Sequence, residues 1–288
     1  MLAIDITVAV PGADQVGEGP FWDPATSELT WVDILGGAVR TADPTRPETP
    51  TTTTLPTLVG AAVPKRSGGF VAATGEGFTD IRHDGSWTTR RAVLPPGRRM
   101  NDAKCDPAGR LWAGSCDLEF SPGRGALHVL EADWTVHHVL DDLTQPNGLG
   151  WSPDGRTFYL IDTAAREVNA FDLLPDRLAL ANRRTLTRVP TGGGVPDGMA
   201  VDTEGCLWIA MWGGSRLVRF DPEGRVLSEV PLPVAQPSSC AFGGPDLDIL
   251  YVTTAREGLG PQPAGPAGSV LAVRGLGVRG LTVARFRG

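Results

Sequence analysis

Glu18, Asn147 and Asp197 are the residues of this sequence best suited to chemistry, because they offer three oxygen donors and two negative charges. Hard oxygen ligands of this kind suit Ca²⁺, Mg²⁺ or Mn²⁺, with Fe²⁺ possible and Zn²⁺ less favoured. Coordination positions that the protein leaves open would hold water or substrate. The alternative is a purely structural role, in which these side chains only cap turns through local hydrogen bonds. The set as a whole favours a site for one divalent cation, whose identity the residues leave open.

The three residues belong to a set of six that stand at equivalent places of a repeated pattern. Each member lies 11 to 13 residues before a large apolar residue, and most have a Pro or Gly beside them. A packed core would repeat Val or Ile at such positions, so polar side chains there indicate that they line the opening of a channel. The six positions are Glu18, Gly60, Asn101, Asn147, Asp197 and Ser239.

The elements that position this ring are short strands, each preceded by a polar turn. The turn-and-strand unit recurs six times, with 40 to 49 residues between successive copies. A period in the forties is typical of propeller blades made of four antiparallel strands. The large residues that mark the six copies are Trp31, Val71, Trp112, Tyr159, Trp208 and Tyr251.

The pattern predicts an all-β, six-bladed propeller with a metal site at the mouth of the central channel. We expect residues 1–288 to form a single domain in which the N- and C-terminal strands share a blade. Residues 4–10 are expected to pair with strands near 269–273 and 281–286, because that closure removes free sheet edges. Each innermost strand would then begin at the channel mouth, where the ring residues lie.

The amino-acid composition fits this fold and restricts the classes of molecule that the protein could bind. The chain has 288 residues, of which 41% are hydrophobic, and its 37 glycines and 25 prolines are spread as turns require. A net charge of −7 argues against nucleic acid and anionic membrane. The N-terminus lacks a basic region, and the cysteines form no metal or disulfide pattern. We therefore expect a cytoplasmic protein, with an oligomeric state that the sequence does not define.

Other catalytic motifs fail on inspection. No Gly-x-Ser-x-Gly is present, so a nucleophile-elbow hydrolase has no support. The four histidines lack zinc-site spacing. The Gly-x-Gly-x-x-Gly at residues 275–280 lies too near the C-terminus to open a helix, which predicts a turn. The polar ring is therefore the candidate site.

Six segments, in order along nearly the whole chain, resemble the senescence marker protein/regucalcin/gluconolactonase family. They are residues 17–23 (GEGPFWD), 98–114 (RRMNDAKCDPAGRLWAG), 146–152 (PNGLGWS), 196–202 (PDGMAVD), 238–244 (SSCAFGG) and 253–259 (TTAREGL). Members of that family are six-bladed propellers with one divalent metal at the channel mouth, and many hydrolyse sugar lactones to aldonic acids. The resemblance therefore implies a metal-dependent sugar lactonase acting on gluconolactone or a pentonolactone.

The resemblance also implies roles for individual residues. Glu18, Asn147 and Asp197 correspond to the metal ligands. Three further residues correspond to substrate-binding positions: Arg99, Asn101 and Glu119. The sequence around Glu119 departs from the motif typical of the family, so Asp117 is an alternative candidate for the same substrate-binding role.

The expected reaction is attack of water on a lactone carbonyl polarised by the cation. Asp197 is the predicted general base, although a carboxylate beside a cation is a weak base, so a water acidified by the cation stays an alternative. Two other functions stay open at this point. One is metal-dependent hydrolysis of phosphoesters or organophosphates, and the other is non-enzymatic calcium binding of the regucalcin kind.

Overall fold

The computed structural model describes residues 3–48, 50–174 and 178–288, and the rest of the predicted domain lies outside the described part. The described residues form six antiparallel four-stranded sheets, so the predicted all-β six-bladed propeller is confirmed. They contain no helix, and hence none that could cross a membrane. In chain order the strands are β1 (Asp5–Val10), β2 (Gly17–Asp23), β3 (Glu28–Asp33), β4 (Ala38–Ala42), β5 (Thr51–Thr54), β6 (Val59–Pro64), β7 (Phe70–Thr74), β8 (Gly77–Ile81), β9 (Trp87–Ala92), β10 (Arg98–Cys105), β11 (Leu111–Asp117), β12 (Gly125–Leu130), β13 (Val136–Leu143), β14 (Pro146–Trp151), β15 (Thr157–Asp162), β16 (Glu167–Leu174), β17 (Ala179–Arg188), β18 (Val195–Val201), β19 (Leu207–Trp212), β20 (Arg216–Phe220), β21 (Val226–Pro231), β22 (Pro237–Gly243), β23 (Ile249–Thr254) and β24 (Val270–Arg274).

The sheets are numbered here as blades. Blade 1 is β2–β5, blade 2 is β6–β9, blade 3 is β10–β13, blade 4 is β14–β17 and blade 5 is β18–β21. Blade 6 combines β22, β23 and β24 with β1 as its outer strand. The pairing of β1 with β24 joins the two ends of the chain in one sheet, with Ile6 opposite Val273.

The innermost strands, β2, β6, β10, β14, β18 and β22, contact one another in a closed ring. Every one of them shifts register against its second strand, and the shift falls on the segment that holds the ring residue. A β-bulge leaves a residue unpaired and bends the strand, which re-aims the local side chain. The ring positions therefore coincide with six bulges at the start of the innermost strands.

Two blades show why the turn-and-strand unit repeats. Asp202 is fully buried, and its Oδ2 accepts hydrogen bonds from Trp208 Nε1 at 3.0 Å and Arg219 Nη2 at 2.7 Å. In blade 3 the Nε1 of Trp112 donates to Asp106 Oδ2 at 3.0 Å. In these two blades the aspartate that opens the turn thus fixes the tryptophan of the next strand.

The C-terminal segment does not follow the prediction. Residues 281–286 do not pair with residues 4–10, which pair with β24 alone. Instead the segment crosses the end of the propeller opposite the ring: Gly280 N donates to Leu247 O, and Phe286 N to Pro64 O at 3.0 Å. Phe286 is fully buried beside Trp134. Burial of that ring outweighs edge pairing, because blade 6 is already closed by β1.

We expect Asp202→Ala to lower the free energy of unfolding by about 3 kcal/mol, because it leaves a buried indole N–H without its acceptor and removes one of the two carboxylates that pair with the largely buried guanidinium of Arg219. Urea unfolding followed by tryptophan fluorescence measures the change. Asp154→Ala, which removes an exposed turn aspartate, serves as the matched control and should cost less than about 1 kcal/mol. Equal losses in the two variants would contradict the proposed role of Asp202.

Candidate cation and substrate site

A cavity of about 360 Å³ opens at the end of the channel where the innermost strands begin. This volume falls in the usual range for small-molecule sites. Its floor includes five of the predicted site residues, and its walls come from all six blades. The lining residues are Val16, Glu18, Ile34, Leu35, Leu58, Arg99, Asn101, Leu118, Phe120, Gln145, Asn147, Thr163, Val195, Asp197, Trp212 and Glu257.

Asn147 has a buried side-chain amide whose nitrogen has hydrogen-bond partners and whose oxygen has none among the described residues. Its Nδ2 donates to Thr163 Oγ1 at 3.2 Å and to Asp197 Oδ1. Thr163 is itself fixed by a 2.8 Å hydrogen bond to Pro196 O. The amide oxygen, by contrast, is buried without a hydrogen-bond partner in the described part of the chain. Because orphaned buried oxygens are rare, this one points to a missing electropositive partner.

Glu18 and Asp197 form an unfavourable pair of buried carboxyl groups. Burial is the main cause that raises the pKa of Glu18 well above its usual range, followed by the charge of Asp197. The pKa of Asp197 is likewise raised well above its usual range, by burial and then by Asp102. One hydrogen bond, from Gly19 N to Glu18 Oε2 at 2.8 Å, partly offsets this effect.

Arg99 and Asn101 are tied to each other and to the neighbouring blade. Arg99 Nη1 donates to Asn101 Oδ1 at 2.6 Å and to Met100 O at 3.1 Å. Asn101 Nδ2 donates to Pro146 O at 2.8 Å, immediately before Asn147. Both side chains are buried and line the cavity. Asn101 thus links the arginine to the strand that carries Asn147.

Two glycines permit the close approach of the innermost strands around the site. A Cβ at Gly60 would lie 2.1 Å from Asn101 O, and one at Gly148 would lie 2.7 Å from Asp197 O. Neither contact can be relieved by turning a flexible side chain, because both oxygens belong to the backbone. Gly60 therefore makes room for the next strand and not for a ligand.

Glu119 is the predicted site residue that the structure does not bring to the cavity. Its side chain is exposed, whereas Leu118 and Phe120 on either side of it line the cavity. The rival carboxylate, Asp117, accepts a hydrogen bond from Ser121 N at 2.8 Å and an ion pair from Arg124 at 3.0 Å. Both acceptor oxygens of Asp117 are therefore occupied locally.

Sequence reasoning missed several cavity residues. Glu257 lines the mouth, and within the described residues its carboxylate makes no hydrogen bond or ion pair. Glu257 lies in the segment 253–259, one of the six that resemble the family, so the sequence contained information that could have identified it. Gln145 and Thr163 were not singled out, since Thr163 follows a second strand and not an innermost one. Asp102 was visible only as the neighbour of Asn101, yet it adds a third buried carboxyl group.

The donor set fits one divalent cation. Two buried carboxylates repel each other, and an unpartnered amide oxygen lies beside them, so a cation would satisfy all three groups. Among the described residues no three His, Cys, Asp or Glu side chains converge, so the unpartnered amide oxygen of Asn147 is the candidate for a third donor. Oxygen-only donors favour a hard ion over zinc.

Comparison with known proteins gives one consistent answer. Residues 16–256 match the family model described as "SMP-30/Gluconolactonase/LRE-like region". Regucalcin from Danio rerio is 37% identical over 302 residues, covering 100% of both chains. A luciferin-regenerating enzyme superposes with a TM-score of 0.90 at 31% identity, covering 99% of this chain and 100% of the other. A regucalcin from Agrobacterium tumefaciens, described as a calcium-binding protein, gives 0.89 at 26% identity, covering 100% and 98%.

The match to the family model covers residues 16–256 and so includes every strand that carries a ring residue. The resemblance read from the six sequence segments is therefore confirmed. The chain belongs to the SMP-30/gluconolactonase/LRE-like family.

Proposed function

We propose that the chain is a divalent-metal-dependent hydrolase that opens a sugar lactone, such as gluconolactone or a pentonolactone, to the aldonic acid. The observation that carries this proposal is the pair of buried carboxyl groups beside the unpartnered oxygen of Asn147, at the floor of a cavity that also presents Arg99. The gluconolactonase members of the family support the same reaction class.

Glu18, Asn147 and Asp197 would hold the cation, as the chemistry of their oxygens suggests. When bound, a divalent cation supplies positive charge that polarises a carbonyl and stabilises a developing oxyanion. Asp197 is proposed to take the proton from the attacking water and return it to the ring oxygen that leaves. The new bond joins the water oxygen to the carbonyl carbon, and the ring C–O bond breaks.

Binding of the sugar ring is assigned to the polar groups around the floor. Arg99 would donate hydrogen bonds to ring hydroxyls and Asn101 would help to orient them, with the hydrogen bond between the two residues holding the guanidinium in place. A carboxylate is needed to accept hydrogen bonds from further hydroxyls. Glu257 already lines the cavity, and Glu119 could serve only if residues near it turned inward.

A second candidate function is calcium binding without catalysis. The similarity to a protein described as calcium-binding favours it. The same three ligands would serve both functions. The cavity beside them is the feature that favours the enzyme, since an ion buffer has no use for a substrate-sized space lined by an arginine and a second carboxylate.

We also propose that the protein acts in the cytoplasm. All four cysteines are free and buried in the structure. Burial raises the pKa of Cys240 to about 12, so its thiol stays protonated and unreactive. Free thiols of this kind are compatible with a reducing compartment.

Removal of the cation should abolish turnover of gluconolactone and pentonolactones above the spontaneous rate, and added Ca²⁺, Mg²⁺ or Mn²⁺ should restore it. Asp197→Asn should lower kcat by about 10²–10⁴-fold, the usual contribution of a general base. A pH-stat assay after treatment with a chelator measures both effects. Asp154→Asn is the control at an exposed aspartate. Full turnover by both stripped protein and Asp197→Asn would exclude this mechanism.

Glu18→Gln should stabilise the cation-free protein at pH 8 but not at pH 5. A carboxyl group whose pKa is higher in the folded state favours folding only while it is protonated, so its unfavourable effect appears as pH rises from about 4 through the folded-state value. Replacing the carboxyl group removes that effect, and each kcal/mol relieved raises Tm by about 2–4 °C.

Thermal unfolding of chelator-treated proteins between pH 5 and 8 measures this difference. Glu223→Gln, at an exposed position, is the matched control and should follow the wild type. Adding Ca²⁺ should reverse the order, because only the intact site gains stability from binding. A variant that is less stable than the wild type at pH 8 without cation would refute the repulsion of the two carboxylates.

Glu257→Gln should lower kcat/KM for gluconolactone by about tenfold, since a hydrogen bond to a charged acceptor contributes about 1.5 kcal/mol or more. Glu119→Gln, which removes a carboxylate from the same end of the propeller, should lower it less. Initial-rate kinetics of the two variants compare the roles directly. The reverse order would assign hydroxyl recognition to Glu119.

A further inference from the structure

Exposed apolar side chains converge at the mouth of the cavity. Leu35, Leu118 and Phe120 are 43%, 48% and 37% exposed, and all three line the cavity. Single exposed apolar residues need no explanation, but a cluster at the rim of a cavity marks a binding surface. Blades 1 and 3 supply these residues.

Five of the apolar lining residues lie on three neighbouring blades. We call Ile34, Leu35, Leu58, Leu118 and Phe120 the apolar wall; they come from blades 1, 2 and 3.

Blades 4 and 6 contribute polar residues to the cavity wall, and blade 5 between them contributes Val195 and Trp212. Gln145 and Thr163 come from blade 4, and Glu257 follows the second strand of blade 6. A ligand with hydroxyl groups on every side would leave the apolar wall in contact with polar atoms. A cavity wall with an exposed apolar part on blades 1 and 3 and polar groups on blades 4 and 6 therefore suits a ligand that carries both a polar and an apolar part.

Phe120 is held in its place on the wall. Its φ angle is 51°, a left-handed conformation that is unfavourable for a residue with a Cβ atom. Phe120 N donates to Asp117 O at 3.2 Å, and the Asp117 carboxylate secures the following turn through Ser121. Arg99 Cζ lies 5.8 Å from the centre of the Phe120 ring. The ring thus joins the apolar wall to the arginine on the cavity floor.

We propose that the preferred substrate is an amphipathic lactone. The ester and any ring hydroxyls face the floor and Glu257, and an alkyl or aryl substituent packs against the apolar wall. This inference rests on the proposed lactonase function and extends its substrate class from sugar lactones to lactones that carry an apolar substituent. Hydrolysis stays balanced as before: water adds to the carbonyl carbon, the ring C–O bond breaks, and the proton passes to the ring oxygen.

The test compares kcat/KM for γ-valerolactone and γ-nonalactone, which share a ring and differ by four methylene groups in the substituent. The wild-type protein with its cation should prefer γ-nonalactone by at least tenfold, since each methylene buried on an apolar surface strengthens binding. The preference should appear mainly in KM, because the substituent contacts the wall equally before and during reaction.

The double variant Leu118→Ser/Phe120→Ser should reduce this ratio to within about threefold of unity. Val226→Ser/Leu227→Ser, which removes two exposed apolar residues of β21 far from the cavity, should leave the ratio at its wild-type value. A ratio near unity in the wild type, with gluconolactone hydrolysed, would overturn this inference and leave the proposed function intact. Absence of turnover on all three lactones would overturn both.

Discussion

The repulsion between the buried carboxyl groups of Glu18 and Asp197 is the constraint on which the rest of the site depends. Burial raises the pKa of both groups, the charge of Asp197 raises that of Glu18 further, and Asp102 adds to the effect on both. A fold keeps such an arrangement only where surrounding structure fixes it. Here the ring of six innermost strands does so, with a bulge in each strand at the level of the site. A divalent cation would turn this unfavourable cluster into a favourable one.

The scaffold explains how the cluster is held. Hydrogen bonds from tryptophan Nε1 groups to buried aspartates secure the inner strands of blades 3 and 5, and the pairing of β1 with β24 completes the sixth blade. The C-terminal segment covers the end of the propeller opposite the site, where Phe286 is buried. Rigid support on both sides keeps the bulged strands from relaxing apart. Placing catalytic groups on strands of this kind also gives precise geometry.

The sequence predicted the fold and the ring because both follow from a local period. Six turn-and-strand units specify six blades, and equivalent positions in a symmetric fold must lie at equivalent heights in the channel. The other features depend on contacts between distant segments. Glu257 lies at the cavity because of the path of the loop after β23. Residues 281–286 do not form the predicted pairing, because Phe286 is buried at the other end of the propeller. Whether a loop residue such as Glu119 faces inward depends on local turns that periodicity does not encode.

The most direct test of the account is a calorimetric titration of chelator-treated protein with Ca²⁺ in two buffers of different ionisation enthalpy. We expect one bound ion per chain and release of protons on binding, more at pH 6 than at pH 8, since raised carboxyl pKa values leave protons to be displaced. Glu18→Gln/Asp197→Asn should bind no ion at the same concentration. Undiminished binding by that double variant, or the absence of binding by the wild type, would contradict the central claim.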